Sequence, residues 1–333
     1  MPLYLGALCI GLAVLSKLMG VVVGLGIAAA IVWRADTRGL LGSLHLWLAV
    51  LLAVLLQLPT LVWNLQHGGL TVAFHLGGVQ QVAAEGMRWE GAVRVLYQLM
   101  LLLSPFCVWG MIRFVTSRSA EGFGGVLHDL GRMIFLASTV VVLFVDVVLG
   151  KESLFYWNII AYGAFFALSA WFIRSRLLIV LHLLYGAVIS TALVYHFSFF
   201  PFLDGRISQA GNLYGWDQLA AAIETERLET GAAFVAADNW QHASQLALAM
   251  NDPEVPAITA GADAFDQWVK PDRDVGKDAV LLVGRERNLD YLRTQFDSVE
   301  HLRHVEVTAW GTKVFSYELY LGRDYHPDAG RPF

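Results

Sequence analysis

The sequence is poor in charged residues and in cysteine. Asp, Glu, Lys and Arg make up 15% of the 333 residues, whereas an ordinary soluble domain carries about 25%. The charges are therefore too few to cover a globular protein of this length. Only two cysteines occur, Cys9 and Cys107, and both lie in apolar runs. This placement excludes a disulfide-framed secreted module.

Acidic residues are also scarce in the first two hundred residues. That part holds 7 of the 28 acidic and 11 of the 23 basic residues, which leaves it at +4 and the remainder at −9. The change near Pro201 predicts two domains, 1–200 and 201–333. The acidic remainder argues against nucleic acid as a partner, because nucleic-acid-binding surfaces concentrate Lys and Arg.

Long apolar runs fill the first part. Each approaches or exceeds the length needed to cross a hydrocarbon core of about 30 Å. They are Leu5–Trp33, Leu44–Val62, Val93–Ile112, Met133–Leu149, Phe155–Ile173 and Leu177–Phe200. Ser16 and Lys17 interrupt the first run, so it is either one long helix with a buried Lys or two shorter helices turning at Lys17. The sequence therefore predicts a transmembrane bundle of about six or seven helices.

The distribution of basic residues predicts the orientation, because Lys and Arg near helix ends are retained in the cytoplasm. Seven arginines fall on alternate loops and define one side: Arg34, Arg38, Arg113, Arg118, Arg132, Arg174 and Arg176. The other side holds fewer basic residues, among them Arg88, Arg94 and Lys151. We therefore expect a multi-pass protein of the bacterial inner membrane, with its C-terminal domain on the periplasmic side.

Strand and helix patterns alternate in the C-terminal domain. The predicted elements are a helix over Trp216–Glu229, a strand over Ala232–Ala237, a helix over Trp240–Met250, a short strand over Ala257–Thr259, a strand over Asp278–Gly284, a helix over Asn288–Phe296 and strands over Val299–Trp310 and Lys313–Leu321. Asn239 is placed to cap the second helix. This order predicts a three-layer α/β domain with a largely parallel sheet and an antiparallel hairpin at its end.

No cofactor is predicted. No glycine-rich loop of the GxGxxG or GxxxxGK type follows a predicted strand, so nothing indicates dinucleotide or ATP binding. No metal motif occurs either, although a divalent metal stays open. His301 and His304 are three apart on a predicted strand and are expected to point to opposite faces, as solvated surface residues that do not share a metal.

Two lysines next to apolar helix ends are candidate binding residues. Lys151 lies in GKESLFYWN and Lys17 in LSKLMG, where a charge needs a partner or contact with water. Either lysine could bind a phosphate at the predicted outer membrane face. The alternative is that each side chain extends along the helix to reach water.

Three other polar residues at the same face also have two interpretations. Asp146, in LFVDVVLG, is either an ion-pair partner for Lys151 or a functional carboxylate. Asn64 and His67, in LVWNLQHGG, either begin a functional external loop or form a turn in which Asn64 caps the end of a helix.

Several segments resemble a known family. They are GLAVLSKLMGVVVG, then PTLVWNLQHGG leading to Phe74, then GKESLFYWNIIAY and, in the C-terminal domain, GWDQLAAAI, VAADNWQHASQLALAM, FDQW, GKDAVLLV and FDSVEHL. Together they resemble the bacterial membrane glycosyltransferases of family 39. This family includes protein O-mannosyltransferases and the aminoarabinose transferases that act on lipid A.

The resemblance implies the GT-C fold and a function in the cell envelope. Such an enzyme transfers a sugar from a polyprenyl-phosphate carrier to a lipid, glycan or protein acceptor on the outer face. The acceptor hydroxyl needs a carboxylate base, and fixed cations stabilise the leaving phosphate. Lys151 and Lys17 would be those cations, and Tyr156 and Trp157 could pack against the sugar or the prenyl chain.

The sequence also departs from the family. The family commonly has an Asp-Glu pair in its first external loop, and no such dipeptide occurs here. Gly69, Thr71 and Val72 stand where a Trp, a Ser and an aromatic residue are expected. We therefore expect an N-terminally incomplete GT-C bundle without its catalytic acid. The alternative is a non-catalytic membrane scaffold or sensor with an extracytoplasmic binding domain; no internal repeat indicates a transporter.

Overall fold

A computed structural model gives the fold of the chain. It describes residues 1–69, 89–148, 153, 155–202, 213–259, 269, 271–284 and 288–327. The chain divides into two compact units, Met1–Ile189 and Ser190–Phe333. The protein is mostly helical, and a small mixed sheet lies in the second unit.

Apolar helices make up the first unit. They are α1 (Pro2–Ser16), α2 (Val21–Trp33), α3 (Leu44–Leu55), α4 (Leu58–Gln66), α5 (Trp89–Leu103), α6 (Pro105–Thr116), α7 (Gly122–Leu143), α8 (Ile159–Phe166) and α9 (Arg176–Ser198), of which α9 continues into the second unit. Helix α7 runs on into a π-helical turn, Phe144–Val148.

Two to four of the helical segments in the described residues are long and apolar enough to cross a membrane. Helix α7 with its π-helical turn has 27 residues and α9 has 23. At about 1.5 Å per residue, each exceeds the roughly 30 Å of a hydrocarbon core. The pairs α3 with α4 and α5 with α6 qualify only if each bent pair is one span, since they are bent by 46° and 116°.

Besides Leu44–Val62, which is divided between α3 and α4, two predicted runs do not form the expected helices. The run Val93–Ile112 breaks at Ser104, whose φ is 74°, and a new helix begins at Pro105. Proline lacks an amide donor and disfavours helical backbone in the residue before it, so one straight helix was a wrong prediction. The run Phe155–Ile173 yields only the eight residues of α8, roughly 12 Å of helix.

The first apolar run forms two helices that separate at Lys17. Helix α1 ends at Ser16, and Lys17 is extended, with φ of −154° and ψ of 128°. A short 3-10 turn over Leu18–Gly20 then leads into α2. Of the two alternatives left open by the sequence, the structure adopts the shorter helices, with Lys17 in the break.

Small residues let the helices approach closely. A Cβ at Gly26 of α2 would lie 2.5 Å from the Ile134 Cα of α7, so these two helices pack backbone to backbone. Gly11 of α1 packs in the same way against Ala53 of α3. Such small-residue contacts are typical of helices that associate without a hydrophobic driving force.

The second unit contains a four-stranded sheet and three helices among its described residues, besides the end of α9. The elements are α10 (Trp216–Thr230), β1 (Phe234–Ala237), α11 (Trp240–Met250), β2 (Ala279–Val283), α12 (Leu289–Arg293), β3 (Phe296–Ala309) and β4 (Thr312–Tyr325). The predicted cap of α11 is confirmed, because the Asn239 Oδ1 accepts a hydrogen bond from the His242 N–H at 2.9 Å. Ala257 makes only an isolated parallel bridge to Ala237, not the predicted strand.

The sheet is mixed, so the prediction of a largely parallel sheet was wrong. Its strand order is β1-β2-β4-β3. Only β1 and β2 pair in parallel, while β4 pairs antiparallel with both β2 and β3. The predicted hairpin is present, but its second strand lies inside the sheet. Strand β4 pairs with β3 along its whole length and with β2 over Glu318–Gly322 on its other edge.

Alternate residues of β1 and β2 face two separate cores. Val235 and Val280 pack with Leu219 and Ile223 of α10 on one face. Phe234, Ala236 and Leu281 pack with Leu292 of α12 on the other. This alternation follows the period of two of a strand, and it accounts for why both strands are buried at every residue.

An irregularity in β3 changes the directions of two histidines. The register of β3 against β4 shifts between His301 and Arg303. His301 Nε2 and His304 Nδ1 therefore both reach the Glu318 carboxylate of β4, at 2.8 and 2.6 Å. Their predicted placement on opposite faces was wrong, because a β-bulge resets the alternation. Within the described residues, no group of three His, Cys, Asp or Glu side chains is placed to hold a metal.

Asp278 ties the start of β2 to the end of β4 and makes the second unit sensitive to acid. The Asp324 N–H donates to its Oδ1 at 3.0 Å, and the Arg323 guanidinium to its Oδ2 at 2.7 Å. The Asp324 N–H, and then Arg323, hold the pKa of the Asp278 carboxyl below its ordinary value. A carboxyl with a lowered pKa stabilises the fold above its unfolded pKa and loses that effect as pH falls through the folded pKa.

We therefore expect Asp278→Asn to lower the free energy of opening of β2 by about 1 kcal/mol at pH 7, since the pair is partly solvated. The difference from wild type should shrink as pH falls below about 4, near the unfolded pKa of an Asp. Hydrogen exchange of the β2 amides, compared between variant and wild type at each pH, measures it. Asp290→Asn, at a carboxylate that is 87% exposed, is the control. If the difference in opening free energy between variant and wild type stayed constant down to pH 3, ionised Asp278 would not be the stabilising group.

Candidate functional site

Lys17 and Tyr156 meet in the first unit. Lys17 lies in the break after α1, and Tyr156 lies in the 3-10 turn Phe155–Asn158 that precedes α8. The Lys17 Nζ is 5.2 Å from the centre of the Tyr156 ring, which is within cation-π range. Both side chains are exposed. The arrangement therefore presents a cation and an aromatic ring together at one surface.

Asp146 lies in the π-helical turn after α7 and is buried. Its side chain has no exposed surface, and its partner in an ion pair is Arg94 of α5. Ser153 donates to the same carboxylate twice, from its hydroxyl to Oδ2 and from its N–H to Oδ1 at 3.1 Å. A buried carboxylate held by an arginine and two further donors is a structural anion rather than a free general base.

Gly91 allows Arg94 to approach this carboxylate. Gly91 lies one turn before Arg94 on α5, and a Cβ there would lie 2.9 Å from the Asp146 Cβ and 3.0 Å from its carbonyl oxygen. Helix α5 is thus in direct contact with the π-helical turn. A π-helical turn often marks a functional position within a helix, and here it directs the Asp146 side chain inward.

Asn158 fixes the segment that carries Tyr156 and Trp157. The Ser138 hydroxyl donates to the Asn158 Oδ1 at 2.7 Å, and the Asn158 Nδ2 donates to the Thr139 Oγ1 at 3.2 Å. Asn158 and Ser138 are both buried. Ser153 precedes Tyr156 by three positions in the sequence, so the buried ion pair and the cation-aromatic pair lie at the same end of the unit.

The structure brings some of the sequence-predicted residues together. Lys17, Tyr156 and Asp146 lie at this end, and Trp157 is half-buried beside Tyr156. Lys151 lies outside the described residues. Among the described residues, Asp146 pairs with Arg94, and the suggested pairing with Lys151 stays a prediction. Arg94 was missed because it is 52 residues away in the sequence and no local pattern connects the two.

Asn64 and His67 are held by their own helix. Asn64 lies inside α4 and donates to the Thr60 carbonyl at 2.8 Å, while His67 is the residue that ends the helix. The prediction that Asn64 is the cap was therefore wrong; its carbonyl instead accepts from the Gly69 N–H at 2.7 Å. The His67 ring stacks on Trp63, with ring centres 4.3 Å apart.

A second buried carboxylate lies near the start of α7. Asp129 pairs with Arg34 at the end of α2, at 2.6 Å, and with Arg132 one turn along α7. The Ser119 hydroxyl donates to it at 2.6 Å. Two of the seven arginines that were predicted to share one side thus share one carboxylate.

The sheet unit has a polar cluster at the carboxyl ends of its two parallel strands. Asp238 directly follows β1, and both of its carboxylate oxygens accept hydrogen bonds. Oδ1 accepts from His242 and Asn239, at 2.7 Å each, and Oδ2 from the Gly284 N–H and the Asn288 amide, at 3.0 Å each. Ligands of α/β proteins often bind at such strand ends, but here protein donors occupy the carboxylate.

Asp238 and His242 were not among the functional residues that the sequence predicts. Their signal was a polar residue directly after a buried strand, followed four residues later by a histidine on the first turn of a helix. The spacing places both on one face of that turn. The cluster connects β1, β2 and α11, so its described role is to hold the strand ends together.

Comparisons with known proteins do not identify the chain. No protein-family model, curated protein or solved structure matches it.

The Arg94–Asp146 pair predicts a stability effect. Arg94→Gln leaves a buried carboxylate without its cation, which costs about 3–5 kcal/mol. Because the Arg94 side chain is 32% exposed, we expect a loss near the lower end of that range. The measurement is the free energy of unfolding of the detergent-solubilised chain in an SDS titration.

Two further variants complete this test. Adding Asp146→Asn to Arg94→Gln should restore most of the loss, because the unpaired charge is removed. The exposed Arg113 has no described ion pair, and Arg113→Gln should change stability by less than about 0.5 kcal/mol. Equal effects of Arg94→Gln and Arg113→Gln would show that the pair is not the stabilising contact.

Proposed function

We propose that the chain is a membrane glycosyltransferase subunit or portion that binds a polyprenyl-phosphate-linked sugar, with the sheet unit on the extracytoplasmic side. The apolar helices support membrane insertion. Helix α9 is long enough to span, and none of its most apolar 18-residue stretch is buried within the protein. A continuous apolar surface of this kind is unfavourable in water and is covered by lipid in a membrane.

The observation that carries the proposed function is the contact of Lys17 with Tyr156. An extended residue between two apolar helices places its side chain at a helix end, where a charge is expensive unless it has a partner or reaches water. No carboxylate of the described residues forms an ion pair with Lys17. Its ammonium group packs on a ring face and keeps its N–H donors available for a phosphate.

The ring and the cation suit the two parts of a polyprenyl-phosphate sugar. A lipid phosphate lies at the membrane surface, where the local dielectric constant is lower than in bulk water and a cation attracts it more strongly. Tyr156, 52% exposed, offers an apolar face to the sugar or to the first prenyl units. In the transfer step, the lysine would stabilise charge on the leaving phosphate.

Asp146 has a supporting role in this proposal. It is committed to Arg94 and Ser153, so it holds α5 and the segment leading to Tyr156 together rather than deprotonating the acceptor. The resemblance places the catalytic carboxylate in an Asp-Glu pair that this sequence lacks. Binding of the sugar donor is therefore a better test of the proposal than sugar transfer.

Lys17→Ala should weaken binding of a short-chain polyprenyl phosphate by about ten- to a hundred-fold, since a charge-assisted hydrogen bond contributes about 1.5–3 kcal/mol. Lys17→Arg should retain most of the affinity, because the charge remains. Fluorescence titration of the purified chain in nanodiscs measures the dissociation constant. Lys151→Ala, made in parallel, is expected to show a similar loss by the sequence-based hypothesis.

Controls separate this contact from general charge effects. Tyr156→Leu should weaken binding by about two- to five-fold, the contribution of an exposed cation-π contact, and Tyr156→Phe should leave it unchanged. Arg176→Gln removes an equal charge elsewhere in the chain and should have no effect. Unchanged affinity in well-folded Lys17→Ala would remove Lys17 from the site, and a scaffold or sensor would then be the better proposal.

The proposed orientation has a separate test. We expect a phosphatase fusion at Gly330 to be active and one at Arg118 to be inactive, because the seven arginines lie next to the ends of alternate predicted apolar runs and favour the cytoplasmic side. Reporter activity in intact cells, normalised to fusion protein amount, is the measurement. The reverse pattern would invert the proposed topology while leaving the helical fold unaffected.

A further inference from the structure

An arginine-lined pocket opens in the first unit, away from Lys17 and Tyr156. It has a volume of about 570 Å³ and lies between the end of α6, the start of α7 and the start of α9. The side chains that define it are Arg113, Arg118, Arg174, Trp109 and Trp171. Three cations thus line one depression, two from the end of α6 and the residues after it and one from the segment before α9.

The charge of the pocket is not compensated by the protein. No acidic residue lines it, and among the described residues no carboxylate forms an ion pair with any of the three arginines. All three are exposed. Two other arginines of this unit, Arg34 and Arg132, are neutralised by the protein, because both form ion pairs with the buried Asp129 carboxylate. Because the Asp129 carboxylate already binds Arg34, Arg132 and Ser119, it does not neutralise the arginines of the pocket, and the pocket carries a net positive charge.

The buried histidine of the pocket is also committed to the protein. The His128 Nε2 lies 2.7 Å from the Phe114 carbonyl oxygen, and its Nδ1 lies 3.1 Å from the Ser119 hydroxyl. The ring therefore forms a fixed wall rather than an additional ligand-binding group. The guanidinium groups of the three arginines donate no described hydrogen bond to the protein, so their donors face the pocket together with the indole N–H groups of Trp109 and Trp171.

The remaining wall is apolar and aromatic. Trp109 and Trp171 are 52% and 46% exposed, and Phe172, Ile173 and Leu178 complete the lining. Exposed tryptophans beside arginines are typical of the interface between membrane and water. A ligand that carries both a compact anion and an apolar chain matches this division of the surface.

We propose that this pocket binds a phosphate ester, and specifically the headgroup of an anionic phospholipid. Guanidinium groups match phosphate oxygens through paired hydrogen bonds, and basic pockets between membrane helices bind anionic headgroups. The lipid assignment rests on the membrane placement of the proposed function. It does not depend on sugar transfer or on donor binding at Lys17.

Arg174 and Arg176 provide a matched pair of test positions. Both are exposed arginines without a described ion pair, and they are two residues apart, but only Arg174 lines the pocket. Arg174→Gln should weaken binding of dioctanoyl phosphatidylglycerol by about five-fold, the contribution of one arginine near an anionic headgroup. Arg176→Gln should change it by less than two-fold. The purified full chain in a neutral detergent, titrated by microscale thermophoresis, gives both constants.

The choice of probes identifies the source of the phosphate. Dioctanoyl phosphatidylcholine, which is neutral overall, should bind at least ten-fold more weakly than the glycerol lipid. Inorganic phosphate and glycerol phosphate should compete only above millimolar concentration if the acyl chains contribute. Binding of glycerol phosphate as tightly as the lipid would retain the phosphate site and assign it to a soluble ester instead.

Two results would overturn the proposal. One is equal affinity of Arg174→Gln and Arg176→Gln for the anionic lipid, and the other is equal affinity of the wild type for the anionic and the neutral lipid. The triple variant Arg113→Gln, Arg118→Gln, Arg174→Gln should abolish the preference for the anionic lipid. Its affinity for polyprenyl phosphate should be unchanged, so a failure of this site and a failure of the Lys17 site give different patterns.

Discussion

Charges buried among apolar helices must be paired, and this constraint organises the first unit. A lone carboxylate in such surroundings is so costly that it would be neutral instead. Helix α7 and its π-helical turn carry two buried carboxylates, Asp129 near one end and Asp146 at the other. Arg34 from α2 binds the first, and Arg94 from α5 binds the second. The two ion pairs determine that α2 and α5 pack against α7, and at which positions along its length.

The second unit uses a buried carboxylate in a comparable way. Asp238 collects donors from α11 and from the segment that follows β2, so the ends of two parallel strands cannot separate without exposing an unsatisfied anion. In both units the polar contacts determine register, whereas the apolar contacts supply most of the burial. A buried polar network is favourable only when each of its members is satisfied.

Local features could be predicted from the sequence, and long-range ones could not. The cap at Asn239 follows from residue types within one turn of the backbone, whereas the helix break at Lys17 was one of two alternatives that the sequence left open. The pairing of Arg94 with Asp146 joins residues 52 apart, and periodicity carries no information about such a partner. The sheet order failed for the same reason, because strand patterns do not reveal which edge a hairpin joins. In β3 a single bulge was enough to reverse the expected direction of His304 relative to His301.

The spacing of Asp129 and Asp146 gives α7 a further property. Asp146 follows Asp129 by 17 positions, roughly 25 Å along the axis at about 1.5 Å per residue. In the proposed membrane placement this is slightly less than the thickness of an average hydrocarbon core, about 30 Å. Both ion pairs would then lie just inside the boundary with the headgroups, and a thicker bilayer would draw them deeper into hydrocarbon. The distance between the two ion pairs would therefore favour a bilayer whose hydrocarbon core is no thicker than average, as in membranes without sterols.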